Sequence, residues 1–288
     1  MKSKLFFCKD LRPEAVLNMY RHLDQSLTGR VAVKVHSGEA GNPNFLRPAF
    51  WKKVVDFVGG TVVECNTAYT GSRHDTPHHT ALLQEHGWSQ TFPVEILDAQ
   101  GPDLELEIPG GAMIKKNFVG KAIKNYDSAL VLSHFKGHPM GGFGGAIKQL
   151  AIGFASSAGK KYIHGVGDPA LFWDRDQDAF LEAMADAASS IVNHFGGKLA
   201  YINVMKNLSV DCDCVGAGAK LPCMDDVGIL ASLDPVALDQ ACVDLVYAST
   251  DPGKAELIER IESRHGIHTL EAAEKLGIGS REYELIAL

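Results

Sequence analysis

The sequence predicts an α/β fold, a largely parallel sheet with helices on both faces. Three observations predict it. Short apolar runs alternate with helical stretches almost throughout the 288 residues. Four of those runs are followed at once by polar loops, HSGEAGN, NTAYTGSRH, SHFKGHPMGG and NLSVDCDC. A hydrophobic fraction of 45% lets a chain of this length bury a substantial core. In a parallel sheet the loops that leave the strands gather on one edge, where ligands bind. The four loops are therefore expected to face one crevice.

In chain order, Pro13 suits the first position of a helix, and Val16, Met19, Tyr20 and Leu23 follow at helical spacing. Residues 31–36 read as a strand. Arg47-Pro48 starts a helix whose apolar face is Phe50, Val54, Phe57 and Val58, and Gly59-Gly60 stops it. Residues 61–65 form a second strand, and Pro77 opens a helix that runs to about residue 86. Residues 94–97 and 104–108 read as short strands joined through a Gly101-Pro102 turn. A short helical stretch near 119–124 leads into a buried strand, 129–132. Phe180, Met184, Ala187, Ile191 and Phe195 mark one face of a long helix. Residues 199–205 and 227–232 are strands. Asp234 caps the next helix, with Pro235 at its first position and Leu238, Cys242, Leu245 and Val246 turned inward. Helices near 255–264 and 270–276 complete the chain. With no internal repeat and no low-complexity linker, 1–288 reads as a single α/β domain.

Charge excludes some functions. Lys and Arg number 28 against 35 Asp and Glu, so the chain has no basic nucleic-acid footprint. The stretch MKSKLFFCKD is too short for a signal peptide, and no run has the length of a membrane span. A cytoplasmic protein with no membrane partner is expected; a small-molecule substrate is the expected partner, and a homo-oligomer stays open. Six cysteines are too few for a disulfide framework, but Cys212, Cys214 and Cys223 crowd one loop, which suits ligation or redox chemistry.

The candidate site residues come from the four loops. His138 stands among glycines and is the expected acid/base. Gly141, Gly142, Gly144 and Gly145 could bring backbone amides to an anion or cofactor at a helix start. Lys148 is either an anion clamp or a nucleophile towards a cofactor. GGFGGAIK matches neither a P-loop nor a dinucleotide fingerprint. Thiolates bind soft metals, which makes Cys212, Cys214 and Cys223 candidate ligands. His36, Glu39 and Arg47 suit recognition of a carboxylate or phosphate. Arg73 and His74 lie at a strand exit and are candidate catalytic residues.

The segments VKVHSGEAGNPNFLRP, NTAYTGSRHDTPHH, SHFKGHPMGGFGGAIKQLAIGFASSAGKKYIH and CDC…DVGILASLDPVALDQACVDLV resemble the domain-of-unknown-function family DUF362, usually described as iron–sulfur-centre proteins. Many relatives carry a ferredoxin insert that this chain lacks, so only Cys212, Cys214 and Cys223 are left to support a cluster. HPMGGFGGAIKQLAIG is more distantly similar to a loop of the nickel-pincer lactate racemases. That resemblance implies a fold like their N-terminal domain. It makes His138 a proton acceptor, Lys148 the anchor of a pyridinium-derived nickel cofactor and His164 a nickel ligand. The Arg47-Pro48 helix start and TGSRH are also similar, but the racemase histidine there falls on Arg73, with His74 one place later. The implied cofactor is a metal ion (nickel, iron or zinc undistinguished), an iron–sulfur cluster or the nickel pincer. The implied reaction is proton or hydride transfer on a hydroxy acid-like substrate, with non-catalytic electron transfer as the alternative.

Overall fold

The computed structural model describes residues 2–101 and 103–288. Pro102 of the expected turn lies outside them. The strands are β1 (Ser3–Cys8), β2 (Val31–Lys34), β3 (Thr61–Glu64), β4 (Val94–Ile96), β5 (Leu104–Glu107), β6 (Lys116–Val119), β7 (Ser128–His134), β8 (Lys136–His138), β9 (Gly142–Gly144), β10 (Leu199–Met205), β11 (Gly228–Ser232) and β12 (Tyr283–Ala287). The helices are α1 (Pro13–Arg21), α2 (Pro48–Val58), α3 (Thr76–Glu85), α4 (Trp88–Thr91), α5 (Ala146–Phe154), α6 (Ser157–His164), α7 (Gln177–Phe195), α8 (Pro235–Ala248), α9 (Lys254–Ser263) and α10 (His268–Lys275).

Eight strands form one sheet in the order β12-β1-β11-β10-β7-β2-β3-β4. The run β10-β7-β2-β3-β4 is parallel throughout. β11 alone is reversed against its neighbours β10 and β1. Helices cover both faces, as the alternation of elements predicts. One core, with Phe154, Phe180, Ile191 and Leu238, lies under α5, α7 and α8; the other, with Val16, Met19, Trp51 and Val54, lies under α1 and α2. Every residue of β2, β7 and β10 is buried. Strands covered on both faces read as continuous apolar runs, which is why these three stand out in the sequence.

Some expectations fail for identifiable reasons. The expected strand 31–36 stops at Lys34, where its pairing with β3 and β7 ends. β4 joins β3 in the main sheet, and β5 instead pairs with β6. The expected helix near 119–124 is the end of β6 followed by a 3-10 turn, Lys121–Asn125. α2 buries Trp51, Val54 and Val55, leaving Phe57 53% exposed over Arg21, so its inner face is rotated from the one read off the spacing. Among the described residues, no helix is long and apolar enough to cross a membrane.

Candidate functional site

The four loops leave β2, β3, β7 and β10, which are contiguous and parallel, so they share the carboxyl edge of the sheet. A cavity of about 280 Å³ opens there. His36, Arg73, His138, Lys148, His164 and Cys214 all line it. A wider groove of about 500 Å³ beside β4 holds none of the residues singled out in the sequence.

One wall is a charged frame spent on itself. Lys34 and Glu64 end β2 and β3. Their buried side chains pair, Nζ to Oε2, at 2.5 Å. Glu64 Oε1 also accepts from the N–H and hydroxyl of Ser37, each at 2.8 Å. Arg73 lies 3.3 Å from Glu39 and 3.7 Å from Glu64, and donates to the Tyr69 hydroxyl at 2.9 Å. Burial pushes the Glu64 carboxyl up, but the Lys34 and Arg73 cations outweigh it and hold it well below its usual range. Arg73 and Glu39 therefore shape the wall; their charges already have partners.

Next to this frame, joined to it through the Tyr69 hydroxyl and the Cys214 carbonyl at 3.2 Å, two thiols meet an imidazole. One ligand atom from each of His138, Cys212 and Cys214 lies within 4.8 Å of the others. Cys212 Sγ is 3.8 Å from Lys148 Nζ, and the Cys214 N–H points to it at 3.4 Å. Burial alone would raise the Cys212 thiol. The Cys214 thiol, the Lys148 ammonium and hydrogen bonds with His138 and His36 reverse that and hold it well below the ordinary value. Cys214 moves the opposite way, raised first by its hydrogen bond to Cys212 and then by burial. Between them Asp213 faces away, to His134 Nδ1 at 2.9 Å and Lys136 Nζ at 2.7 Å, and ties the cysteine loop to the β8–β9 hairpin.

The three cavity imidazoles differ in tautomer. His138 Nδ1 accepts from the Gly141 and Met140 amides at 2.9 and 3.2 Å, and His36 Nδ1 accepts from Gly38 at 3.1 Å. Each therefore carries its proton on Nε2. His164 Nδ1 instead meets the Lys160 carbonyl at 2.7 Å and must donate, which leaves its lone pair on Nε2. The His164 ring is stacked between Phe172 and Phe180. Burial lowers all three, His36 and His138 to about 4 and His164 to about 3, so all are neutral at pH 7.

Other expected residues lie elsewhere. Arg47 is exposed and sits 3.9 Å over the Phe45 ring, outside the cavity lining. His74 lies on the surface with Asp75 and His78. Cys223 is apart from the other two thiols, donating to the Leu208 carbonyl at 3.4 Å. Gly141, Gly142, Gly144 and Gly145 do not line the cavity. The loop needs glycine for its own packing: a Cβ on Gly145 would sit 2.2 Å from Asp239 Oδ1, and one on Gly137 2.3 Å from the Val210 carbonyl. Asp239 already accepts from the Ala146 and Ile147 amides, so the start of α5 has its anion.

Sequence reasoning missed Glu64, Tyr69, Lys160, Phe172 and Trp173 in the lining. A signal existed for Glu64: VAVK and TVVE each end an otherwise apolar strand in a charge, of opposite sign.

A family model described as "Domain of unknown function (DUF362)" matches residues 31–244. No curated protein matches the chain. Two solved structures are similar. One is the lactate racemase apoprotein from Thermoanaerobacterium thermosaccharolyticum, at 12% identity and a TM-score of 0.49, covering 85% of this chain and 58% of that one. The other is a structural-genomics protein from Thermotoga maritima, at 8% identity and 0.46, covering 91% and 58%. The chain thus spans less than two thirds of the length of either structure.

Proposed function

The chain belongs to the DUF362 family, and we propose that its cavity holds a soft metal ion or metal-containing cofactor on Cys212 and Cys214 and performs proton or hydride transfer on a small hydroxy acid-like anion. One observation carries this reading: two thiols and an imidazole converge within 4.8 Å beside a cavity that Cys214 and His138 line, with an ammonium next to them. The donors fit the group. Thiolates favour soft metals, and a pair of buried thiolates needs compensating charge. Lys148 provides that charge, and the Nε2–H groups of His36 and His138 add neutral hydrogen-bond donors.

A bound metal would supply Lewis acidity or an electron sink. The residues of the chain do the rest. His138, fixed as an N–H donor, stabilises negative charge on sulfur or on a substrate oxygen. The acceptor role that the racemase resemblance implies for it needs a lone pair that this tautomer does not offer. His164 does offer one, on the same cavity, which suits a ligand or a proton acceptor. Lys148 attracts the anionic group of the substrate. Met140, Ile152, Phe172 and Trp173 wall the cavity with apolar surface that limits water.

Anaerobic purification from the native host with elemental analysis tests the reading. A stoichiometric metal that is lost in both Cys212→Ser and Cys214→Ser is expected, with Lys148 unmodified by mass. Metal-free wild-type protein would overturn it.

A further inference from the structure

Four cationic side chains line the cavity: Lys34, Arg73, Lys148 and Lys160. Lys34 and Arg73 are neutralised by Glu64 and Glu39. Lys148 faces the Cys212 sulfur. Lys160 is different. It is 7% exposed, and its ammonium donates to the Ala155 carbonyl at 2.6 Å. Among the described residues no carboxylate oxygen lies within ion-pair distance of it. Its nearest charged surroundings include another cation, Lys34, as well as Asp98 and Glu64.

An ammonium removed from water with no carboxylate in ion-pair distance is costly, and a single carbonyl does not fully compensate it. Chains retain such a group where something else completes it. Here the completing anion would enter the cavity, because Lys160 lines it. We infer that Lys160 is the second of two anion anchors, so that the molecule bound in the cavity is a short dicarboxylate with one carboxylate on Lys148 and the other on Lys160. The apolar wall of Ile152 and Met140 suits the methylene chain between two such groups. The volume, about 280 Å³, suits a small acid. Burial holds the Lys160 ammonium below the usual lysine range, and an incoming carboxylate would raise it again.

This inference rests on the proposal that the cavity binds an anion at Lys148. It is tested by calorimetric titration of the protein as purified, with its metal content measured in the same sample, using succinate and butyrate as probes. Succinate is expected to bind the wild type at least about tenfold more tightly than butyrate, the difference made by one charge-assisted contact. Lys160→Gln should bring succinate down to the butyrate level and leave butyrate binding and metal content unchanged, while Lys160→Arg retains most of the preference. Equal affinity for the two acids in the wild type overturns the inference without reference to any variant. So does a succinate preference that survives Lys160→Gln. Succinate preference dependent on Lys160 in a metal-free protein would uphold the anchor and sink the metal reading; a stoichiometric metal with no binding of either acid would do the reverse.

Discussion

Two groups of metal-capable side chains sit near the same sheet edge, and they differ in almost everything except residue type. His138 and Cys214 line a cavity with Cys212 buried beside them, and the elements around them supply donors to sulfur. His74, Asp75 and His78 face solvent. Asp75 caps α3 by accepting from the His78 amide at 3.0 Å and also meets the His78 ring at 2.7 Å. The surface group therefore has a complete structural explanation. The buried group has none, because local packing does not call for two sulfurs, an imidazole and an ammonium at the rim of a cavity. Ligand type alone does not make a site; burial and the surrounding donors do.

The largest expected effect that separates the two groups is on pH-dependent stability. The buried histidines His36, His79, His138 and His164 have folded pKa values lowered to between about 3 and 4 by burial. Unfolded, they titrate near 6.5. As pH falls below 6.5 the unfolded chain takes up protons that the folded chain refuses, so stability is lost between about pH 6.5 and 4, by roughly 3 kcal/mol for each such group. Asp239, raised to about 6 by burial, acts in the opposite direction below pH 6. Urea midpoints of the metal-free protein should therefore fall steeply from pH 7 towards pH 5. A midpoint that holds or rises over that range would show that these rings are not buried as described.

A smaller effect sharpens the other side of the comparison. Asp75→Ala removes the cap of α3 and should lower the melting temperature by roughly 2–4 °C. Bound metal should not change. Loss of metal in that variant would move the centre to the surface.

The sequence carried much of this, but unevenly. β2, β7 and β10 are legible because strands buried on both faces are apolar without interruption. The gathering of four loops on one edge follows from their parallel direction, and the DUF362 resemblance agrees with the family match over 31–244. Strands β12 and β1 were not legible. β12 is half-exposed and β1 carries polar residues, so neither gives a strong apolar signal, and the reversal of β11 depends on which partner it finds. Among candidate site residues, type and loop placement pointed to His138, Lys148 and Cys212, which the fold brings together. They misdirected attention to the glycines, whose small size serves contacts with Val210 and Asp239 that lie far away in sequence. They also gave Arg47 a role that depends on where its side chain turns, and it turns to Phe45. Lys160 went unnoticed because only the cavity shows that, among the described residues, no carboxylate stands within ion-pair distance of it.

The central claim is that Cys212 and Cys214 form the soft metal centre. Cobalt(II) titration under anaerobic conditions tests it most directly, because a thiolate bound to cobalt gives a near-ultraviolet charge-transfer band. The account predicts that band in the wild type, its loss in Cys212→Ser and in Cys214→Ser, and its retention in Cys223→Ser and in the His74→Ala/His78→Ala double variant. No band in the wild type, or a band that survives both Cys212→Ser and Cys214→Ser, would contradict it.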